Sequence, residues 1–304
     1  MTRRHALPLL ATSFLFPACR TREDDQIWHG TAFHIPVSLQ YPSEERLPPG
    51  LPDLLAAADQ LLSLHRSDSV LSRLNAEGSL AHPPQALLEL LAKCRLLHQQ
   101  SGGVFDPTIQ SYWRWLAQRH RAGTPPSPTE RQNQLRKVDF SRVEFSARRI
   151  RLHGTQLTLN ALAQGYLTDQ VTAFLQERHL TRALVNMGEY RAFGKKRYSI
   201  TIPHPDTRER PLDEVTLAKE ALAVSSGSGH RLTATGRDNH LLAPAEGTSP
   251  PARRTIAVFA PDALTADAWA TIFTLSPNLL DAPPHGLRAH RWEGAPTLEG
   301  TVSG

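Results

Sequence analysis

Asp267 and Thr271 are the pair in this chain whose types and spacing point most directly to chemistry. Four residues apart on a helix, a carboxylate and a hydroxyl lie on one face, one above the other. Two hard oxygens so placed suit Mg²⁺, which takes oxygen ligands and fills the rest of its shell with water or phosphate oxygens. The other reading is a carboxylate near a helix N-terminus beside a core threonine. Ser101-Gly102-Gly103-Val104-Phe105-Asp106-Pro107-Thr108 packs two glycines, an aromatic ring and an Asp-Pro turn into one connection. Its glycines let backbone approach a ligand and Phe105 offers a flat apolar surface, although such clusters also simply turn a chain. Val224-Ser225-Ser226-Gly227-Ser228-Gly229 is a small-residue loop that suits either a phosphate cradle or a plain surface connection. His240, followed by Leu241 and Leu242, is a general base if it faces such a pocket and a structural histidine if it does not. The chain has no P-loop lysine motif, nucleophile elbow, Cys-x-x-Cys pair or His-Glu-x-x-His.

The elements that must position these residues are partly legible. Leu54, Leu55, Ala58, Leu61 and Leu62 recur at helix spacing, which predicts an amphipathic helix over 51–65 with Pro52 in its first turn. A second helix is predicted over 85–98, ahead of Gly102-Gly103, with Cys94 on its apolar face as a buried small side chain. The Pro-rich stretch 124–129 reads as a loop. Ile150 and Leu152, then Leu157 and Leu159, alternate about His153-Gly154 as in a hairpin. A helix over 161–178, strands at 198–202 and 255–260, and a helix from about 265 follow. Helices and strands mix without a strand-helix-strand repeat, so the expectation is an α+β fold: one domain of mixed or antiparallel sheets flanked by helices.

Length and composition fit an ordinary globular chain, with 304 residues, 40% hydrophobic and 21% charged. The net charge of +5 comes from scattered Lys and Arg rather than basic blocks, which argues against a nucleic-acid partner. Arg3-Arg4, the apolar run from Ala6 to Phe16 and Pro17-Ala18-Cys19 read as an export signal over 1–18. Two outcomes stay open: lipoprotein processing that leaves Cys19 as a lipid-bearing terminus, or plain signal cleavage. The polar residues 19–27 suit a tether, a domain is expected over 28–285, and 286–304 form a C-terminal tail. With Cys19 acylated, Cys94 has no partner for an internal disulfide.

Taken in order, the motifs resemble those of the ApbE-type flavin transferases, also called FAD:protein FMN transferases, from Trp28 to about Pro277. His29-Gly30-Thr31 looks like the family's Met-Gly-Thr turn, and Ser72-Arg73-Leu74-Asn75 like its Ser-Arg-Phe-Asn element. Gly103-Val104-Phe105-Asp106 is similar to Gly-Ala-Phe-Asp, and Leu159 to Tyr166 is similar to the Asp-Leu-Gly-Ala-Ile-Ala-Lys-Gly-Tyr segment. Val185 to Gly188 resembles Asn-x-Gly-Gly, Ser225 to Ser228 resembles Thr-Ser-Gly-Ser, and Ala266 to Thr271 looks like the metal-binding helix. The chain departs from the pattern at His29, Thr158, Gln164, Glu189 and Ala243, where the family usually has methionine, aspartate, lysine, glycine and aspartate.

The resemblance implies an enzyme that moves the FMN half of FAD onto a Thr or Ser hydroxyl of an exported or membrane-anchored redox protein. By it, Mg²⁺ is held by the Ala161 carbonyl, Asp267 and Thr271, and His240 activates the acceptor. FAD is touched by His29, His65, Asn75, Val104, Phe105, Asp106, Thr158, Gln164, Ser226, Gly227 and Leu241. The expected location is the periplasmic side of a bacterial membrane, anchored through lipid on Cys19. Two alternatives remain at this stage: a pyrophosphatase that releases FMN and AMP, and an FAD-binding lipoprotein that has lost catalysis through Thr158, Gln164 and Ala243.

Overall fold

The computed structural model describes residues 25–205, 207, 210–229, 232–233 and 238–293. The expected export signal, Cys19 and most of the tether lie outside the described residues. The chain opens with a hairpin, β1 (Asp25–Ala32) and β2 (Ile35–Pro42), followed by α1 (Leu51–Leu62), α2 (Val70–Glu77), β3 (Ser79–Ala81) and α3 (Gln85–Gln100). Then come α4 (Gln110–Arg121), α5 (Pro128–Leu135), β4 (Glu144–Phe145), β5 (Arg149–Arg151) and α6 (Asn160–Glu177). The remainder is β6 (Ala183–Asn186), β7 (Tyr190–Phe193), β8 (Tyr198–Pro203), β9 (Pro211–Leu217), β10 (Ala221–Ser226), β11 (Arg254–Ala260), α7 (Ala263–Leu275) and β12 (Arg288–Glu293).

The main sheet has the order β1-β2-β6-β7-β10-β11-β12, and its neighbouring strands pair antiparallel. A three-stranded sheet, β3-β5-β4, and the hairpin β8-β9 complete an α+β fold. Strand alternation assigns the two faces of the main sheet. Ala221, Ala223, Ile256 and Val258 point to the face under α6 and α7, while Leu222, Ala257 and Phe259 pack against Ile200, Ile202 and Leu217 of the β8-β9 hairpin. Small side chains recur where the helix must come close: Ala221 and Ala223 on β10, and Ala263, Ala266 and Ala270 on α7 are all buried.

Four sequence expectations are corrected. Leu157 and Leu159 form no strand; both are buried, and β5 pairs with β3 and β4 instead. The Pro-rich stretch leads directly into α5, because Pro128 occupies its first turn and Ser127 and Glu130 cap each other reciprocally. Within the expected tail, β12 pairs with β11, so the sheet runs past residue 285. The first helix stops at Leu62, where Ser63 turns to extended backbone. Cys94 is buried on α3, as its spacing predicts, and burial pushes its thiol far up.

Candidate functional site

The site is built where α6 crosses α7. The crossing is close: a Cβ on Gly165 would lie 2.3 Å from the Ala263 carbonyl oxygen, so only glycine fits there. Closeness lets the Gly165 amide donate to Asp267 Oδ2 at 3.0 Å. In a regular helix that amide faces the carbonyl four residues earlier, which is Ala161, so the Asp267 carboxylate is held against the first turn of α6, where Ala161 lies. Thr271 stands one turn further along α7, half-buried. Neither Asp267 Oδ1 nor the Thr271 hydroxyl has a hydrogen-bond partner among the described residues. Asp267 is 6% exposed, and burial, added to by the nearby Asp169 charge, pushes its carboxyl up to about 7 against the pull of the Gly165 amide.

Two more carboxylates surround the crossing. Asp169 accepts from the amides of Ala263 and Leu264, both at 2.9 Å, and pairs with Arg191, so it caps the start of α7. Burial raises its carboxyl even so. Glu189 is 7% exposed; its Oε2 accepts from the Val224 amide at 3.3 Å, and burial together with the Asp267 charge pushes it well up. The side chain of Gln164 lies against Gly188, and the Thr168 hydroxyl bonds the carbonyls of both Gln164 and Glu189.

The crossing fits a divalent cation. It holds a buried carboxylate without a cationic partner, a free hydroxyl and a backbone carbonyl, all hard oxygens. Among the described residues no group of three His, Cys, Asp or Glu forms a closed metal cage, so the rest of a shell would be water and phosphate oxygen, as Mg²⁺ prefers.

The 101–108 turn abuts the start of α6, for the Thr158 amide donates to the Pro107 carbonyl at 2.8 Å. The Thr158 hydroxyl accepts from the Asn160 amide at 3.2 Å and starts the helix. Asp106 is 8% exposed and fully used: Oδ1 accepts from the Thr108 amide and Oδ2 from the Phe140 amide. The Phe105 ring is part of the hydrophobic core, its amide donates to Ser101 Oγ, and Val104 packs half-buried beside it. Asn75 grips Leu157 with both ends of its amide, donating to the carbonyl at 2.8 Å and accepting from the N–H at 2.7 Å. Its side chain is therefore occupied in holding the segment that leads into α6.

Past Val224, β10 ends in Ser226, whose hydroxyl meets those of Ser228 at 2.9 Å and Thr255 at 3.1 Å, while the Gly227 amide donates to Arg254. The exposed ring of His240 lies over Gly229, where a Cβ would come within 2.7 Å of Cε1. Asn239 locks its neighbours, accepting from the Leu241 amide at 2.9 Å and donating to the Pro250 carbonyl at 3.2 Å, and Leu241 is buried. His65, exposed, sits edge-on to His34 at 5.2 Å, and His34 lines a cleft with Trp28, Phe33, Leu55 and Asp59, while His29, also exposed, stands opposite Ser38 in the β1–β2 hairpin.

Ala161, Gln164, Asp267 and Thr271 thus stand together at the crossing, and Ser226, Gly227, His240 and Leu241 at the end of β10. Sequence reasoning assigned no role to Glu189 or Asp238, because their partners lie far off along the chain. Their type was the only available signal, as buried acids seldom go unpaired.

The sequence profile described as the ApbE family matches residues 29–280. An FAD:protein FMN transferase of Treponema pallidum is 28% identical over 249 residues, covering 72% of this chain and 68% of that protein. The FAD:protein FMN transferase of Salmonella typhimurium is 24% identical, with 71% and 67% covered. Among solved structures, the apo flavinyl transferase ApbE of Pseudomonas stutzeri superposes with a TM-score of 0.72 at 23% identity, over 89% of this chain and 92% of that one. The ApbE protein of Thermotoga maritima gives 0.78 at 20% identity, over 87% and 93%. At such identities the likeness is one of fold. A profile match over most of the chain, on a fold shared with these structures, shows that this chain belongs to the ApbE family.

Proposed function

We propose that this protein is an FAD:protein FMN transferase that uses Mg²⁺ and places FMN on a Thr or Ser hydroxyl of an exported or membrane-anchored redox protein. Family membership supports the transferase reading, and the observation that carries its chemistry is the bond from the Gly165 amide to Asp267, which brings the first turn of α6 against the α7 face that Asp267 shares with Thr271. Ala161, Asp267 and Thr271 would hold Mg²⁺, which when bound neutralises charge on the FAD diphosphate and on the departing AMP. Ser226, Gly227 and the 101–108 turn would bind FAD, with Gln164 beside the diphosphate. His240, exposed and within reach of a macromolecular hydroxyl, takes the acceptor's proton. The acceptor oxygen then bonds to the FMN phosphorus, the P–O–P bond breaks, and AMP leaves with the electron pair. Cys19 would carry the lipid that keeps the domain at the periplasmic face of the membrane.

The test incubates purified protein with FAD, Mg²⁺ and a Thr-bearing acceptor and reads flavin fluorescence on the denatured acceptor. Parent protein labels it and Asp267→Ala does not; equal labelling by Asp267→Ala refutes the cation role. Free FMN with an unlabelled acceptor selects the pyrophosphatase, and tight FAD retention without turnover selects the binder suggested by the missing charges at Thr158, Gln164 and Ala243.

A further inference from the structure

Helices α4 and α5 grip the loop that carries His240 at three places. Asp238, 3% exposed, receives two bonds from the Arg131 guanidinium, at 3.0 and 2.6 Å, and a third contact from His120 Nε2 at 2.7 Å. Leu242 packs with Tyr112 and Leu116 in a small core of its own. The Tyr112 hydroxyl donates to the Gly247 carbonyl at 3.1 Å. His240 lies between the first two grips. The backbone on either side is fixed as well, because Leu232 donates to the Asp238 carbonyl at 2.8 Å and Asn239 closes on the Leu241 amide.

We propose that Arg131 and His120 are positioning residues for FMN transfer, which set the place of His240 by clamping Asp238. The inference rests on the reading of His240 as the residue that takes the acceptor proton, and it deepens that reading. Several observations separate the clamp from an ordinary surface pair. A forked guanidinium on a carboxylate fixes orientation as well as charge. Burial alone would raise the Asp238 carboxyl, yet Arg131 and His120 hold it below its ordinary value, so the carboxylate stays charged and the clamp stays closed at neutral pH. The clamp also bridges 107 and 118 residues of sequence, so it ties the loop to helices far from it along the chain. A loop histidine that must meet a hydroxyl from another protein gains most from such a brace, since the acceptor supplies no covalent tether of its own.

The experiment measures transfer by the full mature protein with FAD, Mg²⁺ and acceptor for Arg131→Met, His240→Ala and the double variant. Arg131→Met lowers kcat by about ten- to a hundredfold with the KM for FAD within about twofold, and Arg131→Lys recovers part of the loss. On the His240→Ala background, Arg131→Met adds no loss beyond about twofold, because its effect passes through the missing imidazole. An equal loss on both backgrounds, or a raised KM with kcat unchanged, overturns the proposal. Should Arg131→Met fail to melt cooperatively, His120→Ala, which removes one of the three contacts on Asp238, takes its place under the same criteria. Parental rates in His240→Ala would instead remove the underlying reading of His240, leaving the two failures distinguishable.

Discussion

Gly165→Ala is the smallest change that tests the α6–α7 crossing. The added methyl would stand 2.3 Å from the Ala263 carbonyl oxygen, 2.6 Å from its carbon and 2.7 Å from Leu264 Cα, all backbone atoms that no rotamer change can move aside. Ordinary contact begins near 3.4 Å, so the helices must part by about 1 Å. Overpacking of this kind costs roughly 1–3 kcal/mol. For a chain this long, each kcal/mol lowers the melting temperature by roughly 2–4 °C, which gives a drop of about 2–12 °C. The functional loss is larger, because the same displacement pulls the Gly165 amide from Asp267 and the α7 amides from Asp169. A misplacement of about 1 Å at a reacting centre costs on the order of a hundredfold in rate. Calorimetric melting and FMN transfer, measured on one preparation, check both figures. A variant that melts within a degree of the parent and transfers at the parental rate would refute the reasoning.

Three further outcomes follow from the same contacts. Asn75→Ala leaves the Leu157 N–H and C=O without their partner, at a cost of roughly 1–3 kcal/mol by thermal melting, and loosens FAD binding measured by flavin fluorescence quenching. Asp267 has a raised folded pKa, so its share of the stability of the metal-free parent falls as pH rises from 3.8 to about 7 and levels off above; Asp267→Asn keeps the decline that Glu189 and Asp169 contribute but falls less steeply than the parent, and paired melting curves in chelator at several pH values decide it, parallel curves contradicting the assignment. Asp238 has the opposite sign: its pKa is depressed in the fold, so its stabilisation is present above the ordinary value of 3.8 and lost as pH falls through the lower folded value. The deficit of Asp238→Asn against the parent is therefore full near neutrality and shrinks in acid, read from paired melting curves.

What the chain disclosed in sequence was local periodicity. Asp267 and Thr271 share a helix face in α7 as their spacing requires, and α1, α3, α6, β8 and β11 stand where apolar periods placed them. The helix α5 was hidden because Ser127-Pro128 reads as loop chemistry until the reciprocal cap with Glu130 forms. Leu157 and Leu159 alternate like a strand, yet Asn75, 82 residues away, holds this segment as the approach to α6. No period reports a contact of that range. Glu189 illustrates the limit most clearly: in sequence it stands out only as an acid where the family usually has glycine, and only folding carries its carboxylate to the Val224 amide and the neighbourhood of Asp267. The burial of the Phe105 ring was hidden for the opposite reason, since a ring in a glycine turn looks exposed until the core closes over it.

The most direct test is a crystal structure of the protein with FAD and Mg²⁺. The account predicts one cation ligated by the Ala161 carbonyl, Asp267 Oδ1 and the Thr271 hydroxyl, with diphosphate oxygens completing its shell. A cation bound elsewhere, or a diphosphate lying away from the α6–α7 crossing, would contradict it.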